Sequence, residues 1–285
     1  VGSGSVPVRL LLWIFLCVLD FHLIVLSSST VNTTERIMPK KAMKVVMDLS
    51  NTEPDWDSYA AMFGWLGWIG FYPVFFTVLA IDFFAYSVPI VRIILVATLF
   101  VMLISLVYPI SSKAQPSWSN RIGSWLMRGA ARYFSTKVII EDPVSLEKES
   151  PVIFSLEPHD VMPVSIYSLS KFNGTVPTHD TVGCMSWILF KIPIIKHIYS
   201  WCSAIDAGRG TLQRALDKGQ SPMICPGGIQ EMTLMKGDKE CVLYLKSRLG
   251  IIKLCLVNGV PLVPCFAFGQ RKTFHFWQVT NPLLV

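Results

Sequence analysis

The chain has 285 residues, of which 52% are hydrophobic and only 15% charged, and its mean hydropathy is +0.49. Soluble domains average about 25% charged residues, so the composition argues against an ordinary soluble protein and favours a membrane protein with a globular domain. Intrinsic disorder is also excluded, because 17 Phe, 9 Trp and 8 Tyr supply ample apolar surface to bury. The seven cysteines include no C-x-x-C pair, which argues against a zinc site and a small disulfide scaffold.

Positive charge is concentrated in the second part of the chain. Residues 1–110 contain 6 Lys and Arg against 7 Asp and Glu, a net charge of −1, whereas residues 111–285 contain 19 against 12, a net charge of +7. A basic domain beside a bilayer suits anionic headgroups or an anionic substrate. Nucleic acid is not expected as a partner, since the chain has no long basic run and no recognition motif.

The N-terminal segment, residues 1–61, has no assigned role. Its apolar stretch at 10–26 is interrupted by Asp20 and His22. The uninterrupted part suits a signal-peptide core or an embedded segment better than a full membrane span.

Two longer apolar stretches follow, at residues 62–81 and 93–110. Each is uncharged and long enough to cross or deeply enter a bilayer. We therefore predict a membrane hairpin of two helices over residues 62–110, with a turn near Pro89. Basic residues flank both ends of this hairpin, which predicts that both ends face the cytosol. Two buried core helices are the weaker alternative, because neither stretch alternates with polar residues.

From residue 111 onward, short apolar runs are separated by Gly and Pro. We predict strands at 151–156, 222–225 and 262–268, and mainly helical segments at 188–199, 211–218 and 241–258. Strands that alternate with helices indicate an α/β domain, which we assign to residues 111–285. The predicted fold class is therefore an integral membrane protein with an α/β domain and an N-terminal transmembrane helical hairpin.

The first candidate site is the Glu-Pro-His-Asp motif at 157–160, directly after the first of these strands. A strand end that leads into a helix is where α/β domains place reactive groups. Glu157 and His159 are two residues apart, so in an extended chain they share a face. The carboxylate would then fix the imidazole tautomer for general-base work on a hydroxyl. Asp160 is expected to cap the following helix. A turn with a surface histidine is an equally weighted alternative.

Further candidates are groups that could bind an anion. Gly227 and Gly228 follow the second predicted strand, where converging backbone N–H groups hold phosphates or oxyanions; a plain turn is the common alternative. Arg209 and Arg248 suit a phosphate, with surface salt bridges as the alternative. We expect no bound metal, no serine-esterase chemistry and no nucleotide hydrolysis, because the histidine spacings, the G-x-S-x-G motif and the Walker A motif are all missing.

Four motifs, taken in order, resemble the diacylglycerol acyltransferase type 2 family. They are EPHD at 157–160, PGGIQE at 226–231, Arg248-x-Gly250 and VPLVPCFAFGQ at 260–270. The plant and algal branch carries EPHS at the first motif, whereas animal members carry HPHG. The resemblance covers residues from about 60 to 275 and implies acyl transfer from acyl-CoA to diacylglycerol, which forms triacylglycerol. Family members continue beyond the last motif, so the resemblance implies a domain truncated at its C-terminus.

The resemblance also implies roles for single residues. The first position of the first motif is Glu or His and the last is Gly or Ser, which leaves His159 as the obligatory catalytic base, with Glu157 beside it as the second catalytic candidate. The residues assigned to oxyanion or substrate binding are Gly227, Gly228 and Glu231, and those assigned to the phosphates of acyl-CoA are Arg209 and Arg248. Leu249-Gly250-Ile251 departs from the family, which more often has a basic residue, Gly and Phe there.

The implied partners are acyl-CoA as co-substrate, diacylglycerol and membrane lipid, with no bound cofactor; homo-oligomer formation is left open. The implied location is the endoplasmic reticulum membrane, multi-pass, with the catalytic domain facing the cytosol, and lipid droplets as a second location. Monoacylglycerol and wax-alcohol acceptors remain alternatives. A lysophosphatidate-type acyltransferase is disfavoured, because Val164 replaces the Asp of its H-x-x-x-x-D motif. A non-catalytic hairpin protein of lipid droplets would need neither EPHD nor PGG.

Overall fold

The computed structural model describes residues 44–84, 89–109, 117–234 and 241–274. The helices are α1 (Trp56–Phe84), α2 (Pro89–Val107), α3 (Ser117–Tyr133), α4 (Pro143–Lys148), α5 (Ser165–Ser168), α6 (Ile195–Trp201), α7 (Arg209–Asp217), α8 (Gly228–Leu234) and α9 (Leu249–Asn258). The strands are β1 (Lys44–Asp48), β2 (Lys137–Ile140), β3 (Ile153–Glu157), β4 (Asp180–Met185), β5 (Ala204–Asp206), β6 (Gln220–Ile224) and β7 (Leu262–Phe266). The apolar stretch predicted at 10–26 lies outside the described residues.

Five strands form a parallel sheet in the order β5-β4-β6-β3-β7. β3 lies between β6 and β7, and all five of its residues are buried, as a continuous apolar run in a parallel sheet requires. The predicted α/β fold is therefore confirmed. Because parallel strands end at the same edge, the segments that follow β3, β6 and β7 meet there.

The start of α1 is part of this domain. Trp65 of α1 packs with Leu126 of α3 and Phe154 of β3, and each of the three is at most 3% exposed. The helices approach closely because α3 has a glycine at the crossing: a Cβ on Gly129 would lie 2.2 Å from the Cβ of Ala61. The first turns of α1 therefore form core with the sheet.

The strand β1, in the stretch assigned to the N-terminal segment, also joins the domain. It pairs antiparallel with β2, with Val45 opposite Ile139. An ion pair of 2.9 Å between Asp48 and Lys137 closes the end of the pair. The chain just before α1 is therefore attached to the chain just after α3.

The helices α1 and α2 coincide with the two stretches of the predicted hairpin. α1 bends by 52° between Trp56–Gly67 and Gly70–Ile81. Among the described residues, α2 is the one helix that is by itself long and apolar enough to cross a membrane, with only 17% of its apolar window buried; the bent α1 passes the same test if its halves count as one span. Phe75 of α1 packs with Leu95 and Met102 of α2.

The C-terminal end of α2 is bound to the α/β domain through the chain around α6. The backbone N–H of Ile194 donates to Ser105 Oγ at 2.5 Å, and Lys196 Nζ donates to the carbonyl oxygens of Leu106 and Tyr108 at 2.9 and 2.8 Å. The last carbonyls of a helix have no partner within the helix, and the negative end of its dipole attracts a cation. α2 therefore has a fixed attachment to the domain.

Several predicted elements differ from the structure. The helix predicted at 241–258 begins only at Leu249, because the backbone N–H of Tyr244 is bonded to a side chain of α8 instead. The helix predicted to follow Asp160 begins at Ser165. The strands β4 and β5 were not predicted, since Thr and Gly interrupt the apolar run of the first and the second has only 3 residues.

Candidate active site

His159 lies two residues beyond β3, at the edge where the parallel strands end. Its Nδ1 is 2.7 Å from the carbonyl oxygen of Asp160. A carbonyl oxygen can only accept, so Nδ1 carries the proton and Nε2 keeps a free lone pair. Burial lowers the pKa of His159 below its usual value, against the opposing effects of that carbonyl and of Glu231. The imidazole therefore has the neutral form that a general base needs.

The peptide units around His159 are held from two sides. Glu231 Oε1 accepts the backbone N–H of His159 at 2.6 Å, and Gln270 Nε2 donates to the carbonyl oxygen of His159 at 3.3 Å and to that of Pro158. Gln270 Oε1 accepts from the backbone N–H of Ser165 at 3.0 Å. Glu231 is fully buried and Gln270 is 3% exposed. The motifs at 157–160, 226–231 and 260–270 therefore meet at one histidine.

Glu231 is also the partner of the glycine turn before α8. Its Oε2 accepts the backbone N–H of Tyr244 at 3.1 Å, and a Cβ on Gly227 would lie 2.0 Å from the same oxygen. Gly228 has a φ of +57°, which favours glycine. Both carboxyl oxygens of Glu231 therefore accept hydrogen bonds from backbone N–H groups. This arrangement makes Glu231 a positioning residue and differs from the predicted substrate contact.

Glu157 is the last residue of β3 and is 6% exposed. Neither of its carboxyl oxygens has a hydrogen-bond partner of normal geometry among the described residues. Burial and the nearby Glu231 carboxylate raise the pKa of Glu157 to about 8, so it is protonated at neutral pH. It does not orient the ring of His159 as predicted, because the strand ends at Glu157 and Nδ1 bonds to a backbone carbonyl instead.

Asp160 is fully buried and has a φ of +52°. Its Oδ1 accepts the backbone N–H of the next residue, Val161, at 2.8 Å. Since α5 begins only at Ser165, this bond stabilises a turn and not the predicted helix cap. The left-handed conformation is one that Asp and Gly adopt more readily than most residues.

The two predicted phosphate ligands have different surroundings. Arg248 Nη2 donates to the carbonyl oxygen of Gly227 at 3.1 Å and to Gln230 Oε1 at 2.6 Å, so this half-buried guanidinium braces the glycine turn. Arg209 is the first residue of α7, is exposed, and has no hydrogen bond or ion pair to other described residues. It follows β5, which lies three strands from β3, or about 14 Å at the usual strand spacing.

Gln270 and Tyr244 are site residues that the sequence did not predict. Gln270 ends the fourth motif, which is the only signal that pointed to it. In the part of the chain that the structure describes, no group of three or more His, Cys, Asp or Glu side chains is arranged to hold a metal ion.

Residues 83–284 match the family model described as diacylglycerol acyltransferase. The chain is 29% identical over 167 residues to diacylglycerol O-acyltransferase 2 of Dictyostelium discoideum, which covers 56% of this chain and 49% of that protein. It is 25% identical over 178 residues to 2-acylglycerol O-acyltransferase 1 of Bos taurus, with coverages of 59% and 52%. The chain spans about half the length of the curated relatives it matches. No solved structure matches it.

Proposed function

The chain belongs to the diacylglycerol acyltransferase family, and on this basis we propose that it transfers a fatty acyl group from acyl-CoA to diacylglycerol and forms triacylglycerol. The observation that carries this proposal is the geometry of His159. Its Nδ1 is committed to the carbonyl of Asp160, its Nε2 is free, and its peptide is held by Glu231 and Gln270. The Glu at position 157 supports membership of the plant and algal branch.

The reaction is a direct acyl transfer. Nε2 of His159 takes the proton of the acceptor hydroxyl while the oxygen attacks the thioester carbonyl. The backbone around Gly227 and Gly228 stabilises the oxyanion of the tetrahedral intermediate. The carbon–sulfur bond then breaks, and the sulfur takes the proton back from the imidazolium, so free coenzyme A leaves. The general base contributes about 10²–10⁴ in rate, and positioning and the oxyanion site supply the rest.

The buried carboxylate of Glu231 supports this cycle electrostatically. It lies against the backbone of His159 and favours the protonated imidazole that forms during the reaction. Arg209 stands at the same sheet edge, about 14 Å to the side, where it would hold a phosphate of the extended coenzyme A. Arg248 contributes those of its donors that the glycine turn leaves unused.

Diacylglycerol is confined to the bilayer, so the active site must lie at a membrane surface. We assign α2 and the part of α1 beyond its bend to a hairpin in the endoplasmic reticulum membrane, with the α/β domain in the cytosol and the first part of α1 in the core of that domain. Lipid droplets are a second location. The apolar surface of α2 supports this assignment, since eleven of its large apolar side chains are exposed: Ile90, Ile93, Ile94, Val96, Leu99, Phe100, Val101, Leu103, Ile104, Leu106 and Val107.

An acceptor assay tests the proposed function. Microsomes from a host that lacks neutral-lipid synthesis, with and without this chain, receive labelled oleoyl-CoA and one acceptor at a time. We expect triacylglycerol from diacylglycerol. Monoacylglycerol is the second candidate acceptor, because the bovine relative is a 2-acylglycerol O-acyltransferase. Transfer to lysophosphatidate alone would contradict the proposal, as would a lack of transfer from a normally expressed and inserted protein.

A further inference from the structure

A groove of about 780 Å³ lies on α3, well away from the candidate active site. Its charged lining comes from Asp57, Arg121, Arg128, Arg132 and Lys171, and Trp125 is one of its two aromatic residues. Lys171 bonds to Asp180 at the start of β4, whereas His159 follows the end of β3. Because the strands are parallel, the groove and the candidate active site lie toward opposite edges of the sheet.

Most of this lining is one stripe on α3. Arg121, Trp125, Arg128 and Arg132 follow one another at spacings of four, three and four residues, which places them on one face of a helix. The opposite face of α3 is buried against the domain. The stripe is therefore the surface that α3 presents to its surroundings.

Two of the cations have no acidic partner among the described residues. Arg132 is paired with Asp55 at 2.7 Å, and Lys171 is paired with Asp180. In contrast, Arg121 makes no hydrogen bond or ion pair with any described residue, and Arg128 uses only its Nε, which donates to the carbonyl oxygen of Phe172 at 2.8 Å. Two guanidinium groups are thus available to an anion, and guanidinium binds phosphate with paired, charge-assisted hydrogen bonds.

Among the described residues, the acidic residue in the lining, Asp57, makes no ion pair with Arg121 or Arg128. Asp57 Oδ1 accepts the indole N–H of Trp125 at 2.7 Å. This bond fixes the indole on the groove wall, between Arg121 and Arg128 along α3.

The groove lies close to the end of α2. α1 and α3 run antiparallel, since Ala61 packs on Gly129 and Gly64 packs on Leu126. Eight residues beyond Gly64, the hydroxyl of Tyr72 donates to the carbonyl of Pro193, in the segment that holds the end of α2. At 1.5 Å per residue, the distance along α1 from Gly64 to Tyr72 is at most about 12 Å.

The end of the groove nearest to α2 also carries exposed tryptophan. Trp118, in the first turn of α3, is 51% exposed, and Trp125 is 37% exposed. The ring of Trp118 lies 5.0 Å from that of Trp201, the last residue of α6. Tryptophan next to arginine is typical of the interface between a bilayer and water.

We propose that this groove binds the phosphate group of an anionic phospholipid headgroup, at the membrane surface from which α2 emerges. Arg121 and Arg128 hold the phosphate oxygens, and the neighbouring indoles lie among the headgroups. The inference rests on the proposed membrane crossing of α2 and is independent of acyl transfer.

Equilibrium binding to the full chain, purified in neutral detergent, tests this site. The probe is radiolabelled dihexanoyl phosphatidate, and the competitors are dihexanoyl phosphatidylcholine, inorganic phosphate and coenzyme A. Each basic residue near an anionic surface adds to the binding free energy. The loss of both arginines should therefore weaken the binding of phosphatidate about tenfold or more. We therefore expect the double variant Arg121→Gln/Arg128→Gln to lose this affinity. The matched control is Arg214→Gln, which removes an exposed arginine on α7 and should bind like wild type.

Two comparisons keep the result interpretable. The variant Arg121→Lys/Arg128→Lys keeps the charge but not the paired hydrogen bonds, so its affinity should lie between those of wild type and the glutamine variant. All variants should unfold at the wild-type temperature. Equal affinity of the glutamine double variant and wild type would overturn the proposal. Displacement of phosphatidate by coenzyme A or inorganic phosphate at equal concentration would overturn the lipid assignment and identify a soluble phosphate as the ligand.

Discussion

At the scale of single residues, His159 combines a fixed tautomer with a fixed backbone. The carbonyl of Asp160 holds the Nδ1 proton, and Glu231 and Gln270 hold the peptide units on either side. For the general base that we propose, each of these contacts would favour catalysis, because a base must lie within hydrogen-bond distance of the hydroxyl.

Replacing His159 is the direct test of the general base. His159→Ala should lower acyl transfer by about 10²–10⁴, in kcat and not in KM, because a base acts in the transition state. His159→Gln keeps volume and hydrogen bonding but cannot take the proton, so it should be nearly as inactive. The measurement is triacylglycerol formed from labelled acyl-CoA in microsomes, at equal protein level. Robust synthesis by the glutamine variant would show that His159 is only a turn residue.

Glu157 and Glu231 are neighbouring buried carboxyl groups, and Glu157 is protonated at neutral pH. The pKa of Glu157 is raised from 4.5 to about 8 by burial and by the Glu231 charge. Two neighbouring buried carboxyl groups cannot both be ionised without a large cost in free energy. A neutral Glu157 adds no negative charge beside His159.

The pair predicts a pH dependence of stability. Between pH 4.5 and about 8 the folded chain keeps a proton on Glu157 that the unfolded chain has lost. Stability should therefore fall as the pH rises through this interval and level off above it. Glu157→Gln should flatten this fall, while Glu147→Gln, an exposed control on α4, should keep it. The measurement is the unfolding temperature in detergent between pH 5 and pH 9; parallel curves for all three proteins would contradict the assignment.

At the scale of elements, the attachment of α2 to α6 is the most specific contact between the apolar helices and the α/β domain. Lys196 is 6% exposed and donates to two carbonyl oxygens at the end of α2. His197 Nε2 donates to a third, that of Ser105, at 3.2 Å. Burial lowers the pKa of Lys196, and these carbonyls compensate the lost hydration.

Replacing Lys196 should loosen this attachment. Lys196→Met keeps most of the apolar stem but leaves two carbonyls without their donor, which should reduce the free energy of unfolding by about 1–3 kcal/mol. Lys196→Arg should retain part of the stability. The exposed neighbour Lys191 provides the control, since Lys191→Met should be close to neutral. Chemical unfolding in detergent micelles measures the difference; an unchanged midpoint in Lys196→Met would contradict the role of the contact.

At the scale of the whole molecule, the pairing of β1 with β2 restricts how the chain can cross a membrane. β1 precedes α1 and β2 follows α3, yet Val45 and Ile139 are neighbours in one sheet. Both flanks of the apolar helices are therefore on one side of any bilayer that the hairpin crosses. This contact supports the orientation that the flanking basic residues predict.

Protease protection in sealed microsomes tests the orientation. A tag inserted at Asn51, in the exposed turn after β1, and a tag at the C-terminus should both be digested without detergent. A lumenal marker protein serves as the control for sealed membranes. Protection of either tag would contradict the cytosolic orientation of both flanks.

The sequence determined the features that depend on neighbouring residues. The uniformly apolar run of α2 and the buried run of β3 are readable because hydrophobic pattern follows burial locally. The motifs that carry the resemblance are contiguous as well, so their order predicted the family and pointed to His159. Short elements such as β5 and mixed ones such as the segment before α9 have no such pattern, and their prediction failed.

The tertiary structure decided what surrounds His159 and how the apolar helices are held. Glu231 is 72 residues from His159 and Gln270 is 111 residues from it; their contacts depend on β6 and β7 both pairing with β3. The bond from Lys196 to the end of α2 likewise joins residues about 90 positions apart. Such contacts arise from strand order and helix packing, which no local pattern encodes. The sequence by itself therefore pointed to His159, whereas only the fold placed Glu231 and Gln270 around it.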